Sequence, residues 1–301
     1  MIEFPPLPSG EVPIWNGTAF KIGNTTTSVA AYSINQAGWD DELTELHEAE
    51  GGDGSHPIDH ASRAKALEQL RRFGVGAGSH ILEIGCSSGY LLKDIQSSFP
   101  QAILVGADIV TAPLHRLSSA LKGVPLVQMD LLRCPLPENS FDIVIALNVL
   151  EHIEDDEAAL RQMARLLRPG GALVLEVPRG AKYFDYFDAY LRHFRRYERS
   201  DLHRKMISAG FERIETKTLG WSLFPVFALI KKFNRLRYGA RGERCGDLET
   251  KVRNEIRSSR ASGFFAVAMR VEMALTAFSL LLPGIRLTVS ARKPSGEEFH
   301  E

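Results

Sequence analysis

Three carboxylates and one glycine-flanked turn carry the first chemical signal in this chain. Glu83 stands two residues before Gly85, the turn Gly85-Cys86-Ser87-Ser88-Gly89 follows, Asp108 lies 19 residues after Gly89, and Asp130 comes 22 residues later. Each acid sits in or closes an apolar run: Ile81 to Ile84, Ile103 to Ala107, and Leu126 to Met129. Short apolar runs bounded by turn residues read as buried strands, and an open α/β sheet binds its ligand beyond the carboxyl ends of such strands. The four groups should therefore converge on one ligand. At its spacing from Gly89, Asp108 is placed to accept hydrogen bonds from two ribose hydroxyls.

A dinucleotide is the obvious candidate, but Glu83 would face its pyrophosphate at close range, a repulsive arrangement. The same carboxylate suits an ammonium group, and Asp130 can accept from an adenine amino group. A nucleoside joined to an amino acid fits this ordered set best, and S-adenosylmethionine is such a molecule.

The elements that must position these groups alternate along the chain. After the strand at 81–84 and a helix from Tyr90 to about Ser98, strands are expected at 103–108, 125–130, 141–147, 172–177 and 211–218. Helices are expected near 113–121, 155–167 and 201–209. Arg168-Pro169-Gly170-Gly171 stops one helix and Gly210 another. This alternation means a doubly wound, mostly parallel Rossmann-like α/β sheet covered on both faces. Ile285 to Ser290 alternates like a final, antiparallel strand at the sheet edge. Four regions follow: an N-terminal arm or lid at 1–59, a core at 60–220, a helical apolar and basic insert at 221–283, and a last core strand with a tail at 284–301. Asp59 is expected to cap a helix from His60 to Phe73.

Composition narrows the class. At 301 residues with a net charge of −1, the chain is an ordinary globular protein. The charge is uneven, with ten acids against one base in residues 1–60 and ten bases against four acids in residues 231–260. Cys86, Cys134 and Cys245 form no C-x-x-C pair, which predicts a reduced, cytoplasmic protein with neither a disulfide frame nor a zinc site. No secretory signal opens the sequence. His47, His56, Asp59 and His60 invite a metal reading, but Pro57 argues against a shared helix face, so no metal is expected.

The ordered motifs EIGCSSGYLL (83–92), GAD (106–108), QMD (128–130), SFDIVIALNVLEHIED (140–155) and LLRPGGALVLEVP (166–178) resemble the class I (Rossmann-like) S-adenosylmethionine-dependent methyltransferases. The likeness covers residues 60–220 and returns at 283–293. HFRRYER (193–199) with AGF (209–211) resembles a sub-group that methylates small molecules, often sugar- or natural-product-related. The resemblance implies that Glu83 orders the methionine end of the cofactor, that Gly85, Cys86, Ser87 and Gly89 wrap it, and that Asp108 and Ile109 hold the ribose. It further implies Met129, Asp130 and Leu131 on the adenine side, with Asn148 and Val149 beside the methyl group. Ser87 departs from the pattern, which usually has glycine there.

The sulfonium already activates the methyl group, so a general base for the acceptor is the remaining need, and His152 and His193 are the candidates. The implied acceptor is a small molecule (sugar-, natural-product- or lipid-linked), methylated on oxygen or nitrogen. An aromatic wall at 179–199 (Tyr183, Phe184, Tyr186, Phe187, Tyr190, His193, Arg196, Tyr197) is one reading of that segment, and core packing the other.

Rival readings draw on the same residues. Gly85-Cys86-Ser87-Ser88-Gly89 also spells the G-x-S-x-G nucleophile elbow of hydrolases, which leaves Glu83 and Asp108 without a task. The Arg-rich stretch 192–204 suggests a tRNA or rRNA methyltransferase, but a near-neutral isoelectric point gives little footprint for a polyanion. A non-catalytic S-adenosylmethionine-binding protein is the third alternative. In the insert, an apolar block (Leu223 to Phe233) runs into a basic one (Lys231 to Arg237), and an apolar helix is expected from Phe264 to Leu282. Either the insert lies at the membrane surface or against a lipid-like acceptor, giving peripheral contact at the inner membrane, or its helices form a lid over the acceptor site. Arg270 and Glu272 near the middle of the second helix argue against a true span.

Overall fold

The computed structural model describes residues 2–33, 56–239, 242, 247–261, 263–275, 279–280 and 282–296. His47 and Cys245, named above, lie outside the described residues.

An eight-stranded mixed sheet forms the centre. In chain order its strands are β4 (Val29–Ala31), β5 (His80–Ile84), β6 (Ile103–Asp108), β7 (Leu126–Gln128), β8 (Phe141–Leu147), β9 (Leu167–Pro178), β10 (Glu212–Leu219) and β11 (Arg286–Arg292). Across the sheet the order is β10-β11-β9-β8-β5-β6-β7-β4. The chain reverses direction outward from β5, to β6 on one side and β8 on the other, so β5 and β8 border the topological switch point where a ligand belongs. Among the described strands of this sheet, β11 alone runs opposite to the others, antiparallel to both β9 and β10. It lies one place in from the edge, between β9 and β10, rather than at the edge itself. The reason is burial: Leu287, Val289 and Ala291 are nearly inaccessible to solvent, whereas β10 has exposed residues at its start.

Each strand divides its side chains between two cores. Leu82 and Ile84 of β5, Val144 and Ala146 of β8, and Leu173, Leu175 and Val177 of β9 face one layer. There they meet Leu160 and Met163 of α4 (Asp156–Leu166) and Leu202 and Met206 of α6 (Arg199–Ser208). Ile81, Ile143, Ile145, Ala172 and Val174 face the other layer. They pack on α1 (Pro57–Arg72), α2 (Tyr90–Ser98) and α3 (Thr111–Ala120) through residues such as Leu70, Leu92, Ile95 and Leu114. Two apolar faces on one strand explain why these segments read as continuous hydrophobic runs.

Two regions depart from the sequence reading. Within the arm, β1 (Ile14–Trp15), β2 (Phe20–Ile22) and β3 (Thr25–Thr27) form a small antiparallel sheet, and β4 joins the main sheet beside β7. Phe4 and Phe20 from this segment enter the core. Strands of two and three residues are too short to show periodicity. Helix α1 begins at Pro57 rather than His60, and Asp59 is in its first turn rather than its cap. Proline at the first helical position supplies the required φ and lacks only an N–H that no helical carbonyl would accept.

The insert is helical: α7 (Phe224–Tyr238), α8 (Leu248–Ala261) and α9 (Gly263–Ala274). The short α5 (Tyr186–Tyr190) contacts both α7 and α8. The helix expected to reach Leu282 ends at Ala274, and among the described residues no helix is long and apolar enough to cross a membrane.

Candidate active site

One cleft of about 1050 Å³ opens beyond the carboxyl ends of β5, β6, β7 and β8. Glu83, Gly85, Cys86, Ser87, Gly89, Asp108, Ile109, Met129, Asp130, Leu131, Asn148 and Val149 all line it, as do His152 and His193.

The turn after β5 is shaped by backbone conformation. Gly85 and Gly89 have φ of +74° and +70°, and a Cβ at either would come within 2.4 Å of Val149 or Leu117 respectively. Neither position has room for a side chain. Ser87 occupies the left-handed region as well, with φ of 42°, which explains why glycine is common at that place in the motif. Asp108 locks the turn: its Oδ2 accepts from the Ser87 N–H at 2.8 Å and its Oδ1 from the Val110 N–H at 2.9 Å. A third contact comes from the Ile109 amide, and a carboxylate's four lone-pair sites still leave one for a ligand. Burial pushes the Asp108 carboxyl up, and these amide contacts pull it partly back.

Glu83 is the more telling group. It is buried, and its Oε2 has no hydrogen-bond partner among the described residues. Burial, with the neighbouring Asp108 adding repulsion, pushes its carboxyl well above the usual range. A buried, unpaired carboxylate oxygen costs stability unless a cationic donor meets it. Asp130 divides its duties, with Oδ1 accepting from the Leu132 N–H at 2.9 Å and capping the turn at 131–133.

The exit of β8 supplies the second half. Asn148 has φ of 53°, and its Nδ2 donates to Glu176 Oε1 at 3.2 Å. Glu176 Oε1 also accepts from Ser62 Oγ at 2.6 Å and from Arg286 Nη1 at 2.9 Å. Arg286 in turn reaches Asp59 through Nη2 at 2.9 Å, so Asp59 serves an ion pair rather than a metal.

His152 and His193 meet edge to face, with ring centroids 4.6 Å apart. His193 Nδ1 is 3.0 Å from Asp188 Oδ1. Burial would raise the Asp188 carboxyl, but Arg196 at 2.7 Å and Lys231 at 3.3 Å outweigh it and hold the group well below its ordinary value. An ionised carboxylate can only accept, so the network assigns the proton to His193 Nδ1 and leaves Nε2 bare. Burial lowers His193 below its usual value despite Asp188, so the ring is neutral near pH 7. Lys231 of α7 also reaches Asp185 at 2.5 Å, which ties the insert to α5 and to this histidine.

Glu151 is fully buried, and burial pushes its carboxyl up to about 8. Its carboxylate and the rings of His152 and His193 bring ligand-capable atoms within 4.8 Å of one another. This set could hold a divalent cation. Sequence spacing did not show it, because His193 lies 41 residues beyond His152. Sequence reasoning also missed Arg63, Lys231 and Asn234, which line the cleft from α1 and α7 without any motif around them.

The aromatic segment splits. Phe187, His193 and Arg196 line the cleft, whereas Tyr186 and Tyr197 are core residues. The Tyr197 hydroxyl donates to Asp156 Oδ2 at 2.9 Å. Three arginines of 192–204 are engaged with acids, Arg195 with Asp156, Arg196 with Asp188 and Arg204 with Asp201, as is the following Lys205 with Asp156, while Arg192 and Arg199 are exposed.

Residues 82–175 match a protein family described as a methyltransferase domain. A probable S-adenosylmethionine-dependent methyltransferase of Mycolicibacterium smegmatis is 29% identical over 145 residues, which is 46% of this chain and 54% of the relative. A trans-aconitate 2-methyltransferase of an Acidovorax species is 32% identical over 113 residues, 38% of this chain and 43% of the relative. The chain thus spans about half the length of these curated relatives. Among solved structures, a phosphoethanolamine N-methyltransferase of Haemonchus contortus in complex with S-adenosyl-L-methionine superposes with a TM-score of 0.54 at 18% identity, covering 83% of this chain and 56% of that one. The fold is Rossmann-like, residues 82–175 carry the methyltransferase-domain match, and with the relatives these make the chain similar to the class I S-adenosylmethionine-dependent methyltransferases. S-adenosylmethionine is the cofactor of such enzymes, and the residues here fit it: Glu83 for the ammonium, Asp108 for the ribose, and a turn whose two glycines have no room for a side chain.

Proposed function

We propose that this chain transfers the methyl group of S-adenosylmethionine to an oxygen or nitrogen of a small-molecule acceptor. The observation that carries the reading is the meeting of Glu83 and Asp108 with the His152–His193 pair in one cleft. When bound, the cofactor supplies a methyl group already activated by its sulfonium. The protein then has two tasks. Glu83, Asp108 and Asp130, with the turn at 85–89, hold the donor in a fixed attitude, and such positioning can contribute up to about 7–11 kcal/mol in favourable systems. His193 takes the acceptor's proton at Nε2, with Asp188 fixing its tautomer and steadying the cation that forms. His152 packs on that ring and is the alternative base.

Residues 60–220 with the strand after 284 are taken as the methyltransferase core, and the insert at 221–283 as the cover of the acceptor side. A small acceptor is supported by the curated trans-aconitate methyltransferase relative and by the ion pairs that engage Arg195, Arg196 and Arg204 of the Arg-rich stretch. Calorimetry with S-adenosylhomocysteine, followed by an acceptor screen with tritiated methyl donor, tests the reading. Absence of cofactor binding by the folded chain refutes it.

A further inference from the structure

Helix α7 is inverted relative to an ordinary surface helix. The face of α7 turned toward the protein carries Lys231 and Asn234, only 7% and 5% exposed, while Leu229 and Leu236 stand 69% exposed. With Val226, Ile230 and Phe233, these leucines form a single stripe at i, i+3, i+4 and i+7 spacing, open to solvent. Helix α9 packs Met269, Phe265 and Ala268 inward but also leaves apolar residues outside. Its Glu272 is wholly buried, accepting from the Gly220 and Ser222 amides, and Phe264, Val267 and Val271 form an exposed stripe. Monomeric proteins rarely leave such apolar stripes uncovered.

Three facts identify what covers them. Exposed bases flank the stripes: Lys232 and Arg237 on α7 and Arg270 on α9. The Arg237 guanidinium lies over the Phe233 ring at 5.9 Å, a charge carried at the margin of an apolar face. Val226, Ile230 and Phe264 belong both to the stripes and to the cleft lining, so the mouth of the cleft opens within the apolar surface. An apolar face rimmed by bases complements an anionic membrane interface.

We propose that α7 and α9 dock on an anionic membrane surface and that the acceptor enters the cleft from that surface as an amphiphile. Its polar head reaches toward Asn234 and His193 while its apolar chain stays among Val226, Ile230 and Phe264. The second half of this proposal rests on the methyl-transfer reading; the docking does not.

Flotation of the full chain with phosphatidylcholine vesicles, with and without phosphatidylglycerol, tests the docking. Three exposed bases predict binding on the order of a hundredfold stronger to the anionic vesicles, weakened by high salt. The double variant Leu229→Glu/Leu236→Glu changes residues outside the cleft lining, so it is expected to lose flotation while keeping its calorimetric affinity for S-adenosylhomocysteine. Lys232→Glu/Arg237→Glu is expected to lose the preference for anionic lipid. Wild-type protein that stays at the bottom at low salt overturns the docking, as does a dimer that the leucine variant dissociates. For the acceptor, tritium from labelled methyl donor is expected in the organic phase after incubation with a membrane lipid extract. Label confined to water-soluble products overturns that part. Loss of cofactor binding in the wild type would instead refute the methyltransferase reading and leave the flotation result standing.

Discussion

Replacing Asp108 separates the cofactor's requirements from those of the fold. Both of its carboxylate oxygens accept buried amide protons, from Ser87 and Val110. Asp108→Ala therefore removes two charge-assisted hydrogen bonds from the turn as well as any ribose contact, at about 1.5–3 kcal/mol each. A loss of about 3–6 kcal/mol is a large share of the roughly 5–15 kcal/mol by which a domain is stable, so the alanine variant is expected to unfold partly. Asp108→Asn is the sharper instrument. Its Oδ1 can keep one of the two amide contacts, while the charge and half the acceptor capacity are lost. Losing a single charge-assisted contact to the ribose, again about 1.5–3 kcal/mol, predicts roughly a 10- to 150-fold weaker affinity for S-adenosylhomocysteine. Calorimetry on the folded asparagine variant, with its melting temperature measured alongside, reads both effects. A folded variant with wild-type affinity would show that Asp108 serves the turn alone, and the assignment of the cleft would fall.

Glu83→Gln should weaken cofactor binding and flatten its pH dependence. Because burial raises the folded-state value of Glu83, the group must lose a proton before it can meet the ammonium. Wild-type affinity should thus increase as pH rises through that raised range, and the ligand-free fold should lose stability over the same range; thermal melts and titrations across pH check both signs. His193→Asn is expected to lower kcat by about 10²–10⁴ with cofactor affinity unchanged, and an unaltered kcat would remove it as the base. Ser87→Gly should stabilise the protein by about 1 kcal/mol, read as a higher melting temperature, since serine holds a left-handed conformation there. Activity is expected to persist in a chelator, whereas zinc should inhibit by binding Glu151, His152 and His193; loss of activity in the chelator and rescue by a metal would give those residues a ligand role instead.

How much of this was legible beforehand depends on how local each signal is. The strands at 81–84, 103–108 and 141–147 showed as apolar runs because both of their faces are buried, a property written residue by residue. Glu83, the glycine turn, Asp108 and Asp130 were legible together because a parallel sheet brings successive strand ends to one side, so their spacing implies their meeting. The turn's tolerance for Ser87 was legible only as a departure from a pattern; its cause is a positive φ. Other features depend on contacts between distant segments, which no local spacing encodes. The place of β11 inside the sheet follows from burial on both flanks, and that is decided by which strands remain unpaired after β9. The His193–Asp188–Lys231 chain joins residues from the post-β9 segment and the insert, and only folding sets their distances and charges. The inverted face of α7 and the buried acid of α9 show the same limit. Sequence displayed an apolar block beside a basic one, but which residues turn inward was settled by ion pairs with Asp185 and Asp188 and by the amides that Glu272 receives.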